Sequence, residues 1–283
     1  MMNKDKLKSI IAKKSKSHND IAAQLYQMFF FEKILERISK SRYKNNIILK
    51  GGLLLSSIIG EDERTTKDMD ATLKSLPLEK EYIFQMMNDI LCINLNDEIS
   101  FEIVSIKDIR LEDEYGGFRI SILALMDTLK IHLAIELTTG DKITPREIEY
   151  YYSCIFEDKK IPILAYTLET VIAEKYHSIA TRGVFNTRMK DFYDLYILMT
   201  ENKEKIDFNN LDLAIRNTFR KRETDLSTDE IIELIGEMRV NQRLISLWRN
   251  YQISAPYSNN IKYEDLFDTL GSITEIFSDV VAI

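Results

Sequence analysis

A chain of 283 residues with 45% hydrophobic content can hold one large domain or two ordinary ones around a packed core, which excludes disorder as the default. Its formal net charge of -7 argues against a protein that coats DNA by electrostatics alone, because such proteins neutralise many phosphates. The longest apolar runs, Met28 to Phe31 and Ile120 to Met126, fall far short of the roughly 20 residues that cross a bilayer.

The lysine-rich start, Met1 to Ser17, is not followed by the apolar stretch and cleavage site of a signal peptide, so a cytoplasmic protein is expected. Lys4, Lys6, Lys8, Lys13, Lys14 and Lys16 there, and Arg216, Arg220, Lys221 and Arg222 later, are either solvated helix faces or nucleic-acid contacts. Cys92 and Cys154 stand far apart without a second Cys/His pair, which predicts reduced core thiols rather than a zinc site or disulfide.

Ser17-His-Asn-Asp20 predicts a helix start, and apolar residues at helical spacing from Ile21 to Ile38 predict a largely buried helix. Asn46 to Lys50 reads as a strand broken by Gly51-Gly52, with a helix over Leu53 to Ile59 opened by those glycines. Thr66 to Leu73 reads as the next strand, followed by a turn at Pro77 and a helix from about Leu78 to Ile90. Strands near Ser100 to Ile106, Phe118 to Met126 and Leu129 to Leu137, joined by turns at Glu112 to Gly117 and Asp127-Thr128, suggest an antiparallel meander. After Pro162 the pattern is helical: Thr167 to Thr181, Arg188 to Thr200, Leu211 to Arg220, Thr228 to Leu247 and Tyr263 to Ile276. A domain boundary is expected near residue 160.

In a strand, Asp68 and Asp70 would share a face, aiming two carboxylates at one small volume. Like charges that close call for a counter-charge, and magnesium with its preference for oxygen ligands suits them, although exposed Asp-x-Asp pairs are common. Gly51-Gly52 between a strand and a helix could bring backbone N–H groups to a phosphate, or be a plain tight turn. Arg64, Thr65 and Thr66 could supply a guanidinium and hydroxyls to the same anion; a surface loop would look alike. From Lys130 to Thr138 the alternation places Ile131, Leu133, Ile135 and Leu137 on one face, and Lys130, His132, Ala134 and Glu136 on the other. If that strand neighbours Asp68 and Asp70, Glu136 becomes a third carboxylate, able to ligate a metal or take a proton; His132 receives no catalytic role. Lys175 interrupts the apolar stripe Leu168, Val171, Ile172 and Ile179, and Asp191 interrupts the next helix beside Leu195 and Leu198. Either the two form a buried ion pair, or both face a cleft with Lys175 on a triphosphate.

Lys50-Gly-Gly-Leu-Leu-Leu55, Arg64-x-Thr66-x-Asp68-Met-Asp70, Ile135-Glu-Leu-x-x-Gly-Asp141, Ala173-Glu-Lys175 and Arg188-x-Lys-Asp191-x-x-Asp194-Leu-Tyr196 resemble the AbiEii/AbiGii nucleotidyltransferase-like toxins of type IV toxin–antitoxin and abortive-infection systems. The likeness runs from about residue 20 to 200. It implies an α+β, polymerase-beta-type nucleotidyltransferase fold: residues 1–160 with a mixed sheet and an N-terminal helix, and residues 161–283 as a helical half closing the active-site cleft. It further implies an antiviral toxin that uses Mg2+ and a nucleoside triphosphate (NTP), modifies RNA, notably tRNA 3′ ends, and is countered by a cognate antitoxin that need not bind stably. By position, Asp68 and Asp70 match the family's metal pair, Lys175 its essential lysine and Asp191 the acidic residue of its last motif. Glu136 stands where relatives more often carry Asp.

The expected chemistry is in-line attack of an acceptor hydroxyl on the α-phosphorus, with two metal ions at Asp68 and Asp70 and Glu136 as further ligand or base. Lys50, Gly51, Gly52, Arg64, Thr66 and Lys175 would bind the nucleotide. Transfer to a small molecule or a protein hydroxyl, and a catalytically silent nucleotide or RNA binder, are the competing readings.

Overall fold

The strand, turn and helix around the glycine pair are present as β1 (Ile47–Lys50) and α3 (Gly51–Ile59) in the computed structural model, which describes residues 2–15, 19–60, 64, 66–109 and 116–278. The helix begins at Gly51 itself, earlier than the apolar pattern suggests. The remaining strands are β2 (Met69–Leu73), β3 (Ile99–Ile109), β4 (Gly117–Met126), β5 (Leu129–Thr139), β6 (Ile148–Ser153) and β7 (Lys160–Ala165). They form one mixed seven-stranded sheet in the order β3-β4-β5-β2-β1-β7-β6. The meander β3-β4-β5 is antiparallel throughout, β5 runs parallel to β2, and β2 runs antiparallel to β1. The α+β architecture with a mixed sheet and a helical C-terminal half is therefore as expected.

Helix α2 (Asn19–Lys40) packs on β5, β7 and α4 (Lys80–Leu91), burying Met28 to Phe31, Ile34, Leu35 and Ile38. A helix apolar on nearly all sides belongs inside a core, so its charged residues need partners. Arg37 donates through both terminal nitrogens to Asp97 at 2.9 Å, Lys33 pairs with Glu157, and Glu36 with Lys159. Glu32 accepts the Ile155 N–H at 2.6 Å, and burial pushes its carboxyl up to about 8, so it is protonated at neutral pH. The N-terminal lysines lie on α1 (Lys4–Ser15), a helix as one of their two readings had it, which turns Leu7 and Ile11 inward and exposes Lys6, Lys8 and Lys13.

Two strands escaped the sequence reading. β7 passes through Pro162, and β1 pairs with it only at Leu164 and Ala165, so the missing N–H removes no bond on that side. The helix expected over Thr228 to Leu247 is two, α8 (Thr228–Arg239) and α9 (Gln242–Ser254), because the Asn241 side chain accepts from the amides of Arg243 and Leu244 and starts a new helix. Cys92 is exposed and Cys154 half-buried, so neither is a core thiol; burial nevertheless pushes the Cys154 thiol up to about 12. The expected Ser17 helix start, Lys16 and the turn residues Glu112 to Tyr115 lie outside the described residues. Among the described residues no helix is long and apolar enough to cross a membrane.

The chain divides into two compact units, Met1–Asp141 with Glu147–Ala165, and Lys142–Arg146 with Tyr166–Ile283. The first holds the sheet. The second holds α5 (Leu168–Arg182), α6 (Met189–Glu201), α7 (Phe208–Lys221), α8, α9 and α10 (Tyr263–Ser278).

Candidate functional site

Strand register places a row of charged residues side by side on one face of the sheet. Lys50 on β1 pairs with Asp70 on β2, Asp70 with Glu136 on β5, Glu136 with Arg119 on β4, and Arg119 with Lys107 on β3. Directly paired residues project to the same face, so two carboxylates are neighbours at the middle of the row and repel each other.

Asp70 also meets the start of α3. It accepts the Gly52 N–H, placing a negative charge where the helix dipole favours one. Gly51 has φ +64, and a Cβ there would overlap Asp70 Oδ2; a Cβ on Gly52 would overlap Thr66 Oγ1. The glycine pair is thus explained by the close approach of Asp70 and Thr66 to the turn. Removal from water, then the neighbouring Asp68, push the Asp70 carboxyl up to about 6; Glu136 adds to this, while Lys50 and the Gly52 N–H oppose it.

Asp68 precedes β2 instead of lying within it, because pairing begins only at Met69. Thr66 Oγ1 donates to Asp68 Oδ1 at 3.1 Å and folds this segment into a local turn. Arg64 is buried and donates to the Gly52 carbonyl at 2.7 Å, bracing the turn from inside. Thr65 lies outside the described residues. Lys50 is buried too: its ammonium donates to Thr138 Oγ1 at 2.7 Å and pairs with Asp141, which also accepts from Thr72. Glu136 pairs with Arg119, and His132 is exposed on the same polar face.

Lys175 and Asp191 belong to the helical unit, where the pairing expected between them exists. Lys175 Nζ lies 2.5 Å from Asp191 Oδ1 and 2.8 Å from Asp194 Oδ2, while Arg188 Nε lies 3.1 Å from Asp191 Oδ2. The second basic cluster is partly committed to packing, with Arg216 on Asp212 and Arg222 on Glu174.

Asp70, Thr66 and Arg64 therefore meet Gly51 and Gly52 at the first turn of α3, Asp68 bonds to Thr66, Lys50 and Glu136 flank Asp70 in the strand register, and Lys175 pairs with Asp191. Of the charged partners, Arg119 was not singled out beforehand, while Asp141 and Asp194 stood in the quoted motifs without a role. The period-two alternation of β4 puts Arg119 on the polar face, and the i,i+3 spacing of Asp191 and Asp194 puts both on one side of α6.

Among the described residues no three His, Cys, Asp or Glu side chains are grouped closely enough to hold a metal ion. Asp68 and Asp70 still fit magnesium, which is usually held by one or two carboxylates and completes its shell with water and substrate phosphates. Burial first and Asp68 second raise the Asp70 carboxyl, and a bound cation would relieve the repulsion between the two carboxylates.

The family described as nucleotidyl transferase AbiEii toxin, type IV toxin–antitoxin system, matches residues 33–269. The chain belongs to that family. No curated protein matches it. Among solved structures it is similar to JHP933 from Helicobacter pylori, with a TM-score of 0.47 and 12% identity over 90% of this chain and 92% of that one. A second H. pylori protein, described as a candidate nucleotidyltransferase, is similar with a TM-score of 0.46 and 12% identity over 90% of this AbiEii-family chain and 95% of that one.

Proposed function

We propose that this AbiEii-family chain is a magnesium-dependent nucleotidyltransferase toxin with Asp68 and Asp70 at its reacting centre. The observation that carries the reading is Asp70, a half-buried carboxylate crowded by like charge at the N-terminus of α3. When bound by Asp68 and Asp70, magnesium would offset charge on the triphosphate and on the departing pyrophosphate. The acceptor oxygen forms a bond to the α-phosphorus as the bond to the pyrophosphate oxygen breaks. Glu136 takes the acceptor's proton or completes the ligand set.

The N-terminus of α3 favours the phosphate end of the nucleotide, held near the turn that Gly51, Gly52, Arg64 and Thr66 build and Lys50 flanks. Lys175, fixed by Asp191, is proposed as a second requirement of the reaction. The acceptor is proposed to be RNA, such as a tRNA 3′ end, with growth arrest as the outcome in a cytoplasm where the antitoxin counters it.

Incubating the protein with magnesium, each labelled NTP and total RNA tests this directly. Label is expected on RNA and absent with Asp68→Ala. Label on a small molecule or a protein would replace the acceptor, and growth inhibition that survives both Asp68→Ala and Lys175→Ala would replace the enzyme with a binder.

A further inference from the structure

Glu136 stands between two cross-strand neighbours of opposite kind, the carboxylate Asp70 on β2 and the guanidinium Arg119 on β4. It pairs with Arg119. Of the other cations in the row, Lys50 turns its ammonium to Thr138 and Asp141, and Lys107 lies one strand beyond Arg119. We propose that Arg119 is a positioning residue that holds Glu136 away from the cation, so that the ion is carried by Asp68 and Asp70 alone and Glu136 remains available to the acceptor.

The proposal rests on the metal site described above and assigns its third carboxylate. It explains why Glu136, although paired with Asp70 in the strand register, does not join Asp68 and Asp70 in a three-carboxylate group among the described residues. A third carboxylate would raise the charge of the site, and ligand charge count is a main determinant of affinity for hard cations. Too tight a hold would oppose exchange of the ion together with its nucleotide. The Arg119 and Glu136 side chains are 45% and 25% exposed, so water screens the pair and it is weak enough to be broken by a single substitution.

The test is Mn2+ binding, without nucleotide, to the full-length wild type, Arg119→Gln, Glu136→Gln and the double variant, with thermal melting as a check that each folds. Arg119→Gln is expected to tighten Mn2+ by about fivefold, the equivalent of one solvated ion pair released to the metal. Glu136→Gln should leave affinity near wild type, and the double variant should cancel the gain. In transfer assays Arg119→Lys should restore the wild-type KM for acceptor better than Arg119→Gln does. An unchanged or weaker Mn2+ affinity in Arg119→Gln, or a gain that persists without Glu136, overturns the assignment. Wild type that binds Mn2+ but transfers nothing defeats only the proposed function; wild type that binds no Mn2+ defeats both.

Discussion

In α5 and α6 the Lys175 ammonium lies between Asp191 and Asp194 while Arg188 reaches Asp191, so opposite charges meet at close range. On the sheet, Asp70 has Asp68 and Glu136 as like-charged neighbours, and Lys50, its cross-strand cation, turns its ammonium toward Asp141. In the helical cluster each carboxylate meets a cation directly; on the sheet two carboxylates press on Asp70 while Lys50 and the Gly52 N–H oppose them. Glu32 illustrates a third outcome, since burial pushes it up to about 8 and the proton stays on. Asp70, pushed only to about 6, keeps its charge at neutral pH and with it the capacity to hold a cation.

Opposite effects of substitution would sharpen this contrast. The largest is expected in the helical cluster: Lys175→Ala removes the ammonium that two buried carboxylates share, leaving Asp191 with Arg188, and should cost about 3 kcal/mol in urea unfolding. Asp70→Asn should act the other way. The Asp70 carboxyl is raised from 3.8 to about 6, so ionised Asp70 destabilises the fold, with the loss developing as pH rises from the unfolded value to the folded one. Asparagine should therefore match the wild type below pH ~4 and gain up to about 3 kcal/mol by pH ~6, then hold that gain at higher pH. Saturating magnesium should narrow the gap by stabilising only the wild type. The smallest expected stability change is Gly51→Ala, about 2 kcal/mol for a side chain in the left-handed region. Its effect on transfer should be larger, since the new methyl group displaces Asp70 itself.

Much of the candidate site was legible because its parts are local patterns. The Gly51-Gly52 break, the Asp68-x-Asp70 spacing and the alternation that puts Glu136 opposite Ile135 and Leu137 each lie within a few residues. What brings them together is pairing across the chain, Asp70 with Glu136 and Lys50 with Asp70, and sequence periodicity carries no register between distant strands. For that reason Arg119 and Asp141 went unnoticed as partners. β6 was obscured because its residues are mostly exposed and lack a buried alternation, β7 because it contains Pro162. The α8–α9 break was hidden by Asn241, which reads as one more polar helix position until its side chain is seen capping. The expected extent of β2 failed at Asp68 for a local reason, the hydrogen bonds from Thr66.

The central claim is that Asp70, a carboxylate crowded by Asp68 and Glu136, stays ionised to hold a cation and its nucleotide. Thermal stability and magnesium-dependent transfer of labelled NTP should be measured on the same preparation of Asp70→Asn at pH 7.5. The account predicts a variant that melts above the metal-free wild type yet transfers nothing. A variant that melts lower and transfers at the wild-type rate would contradict it.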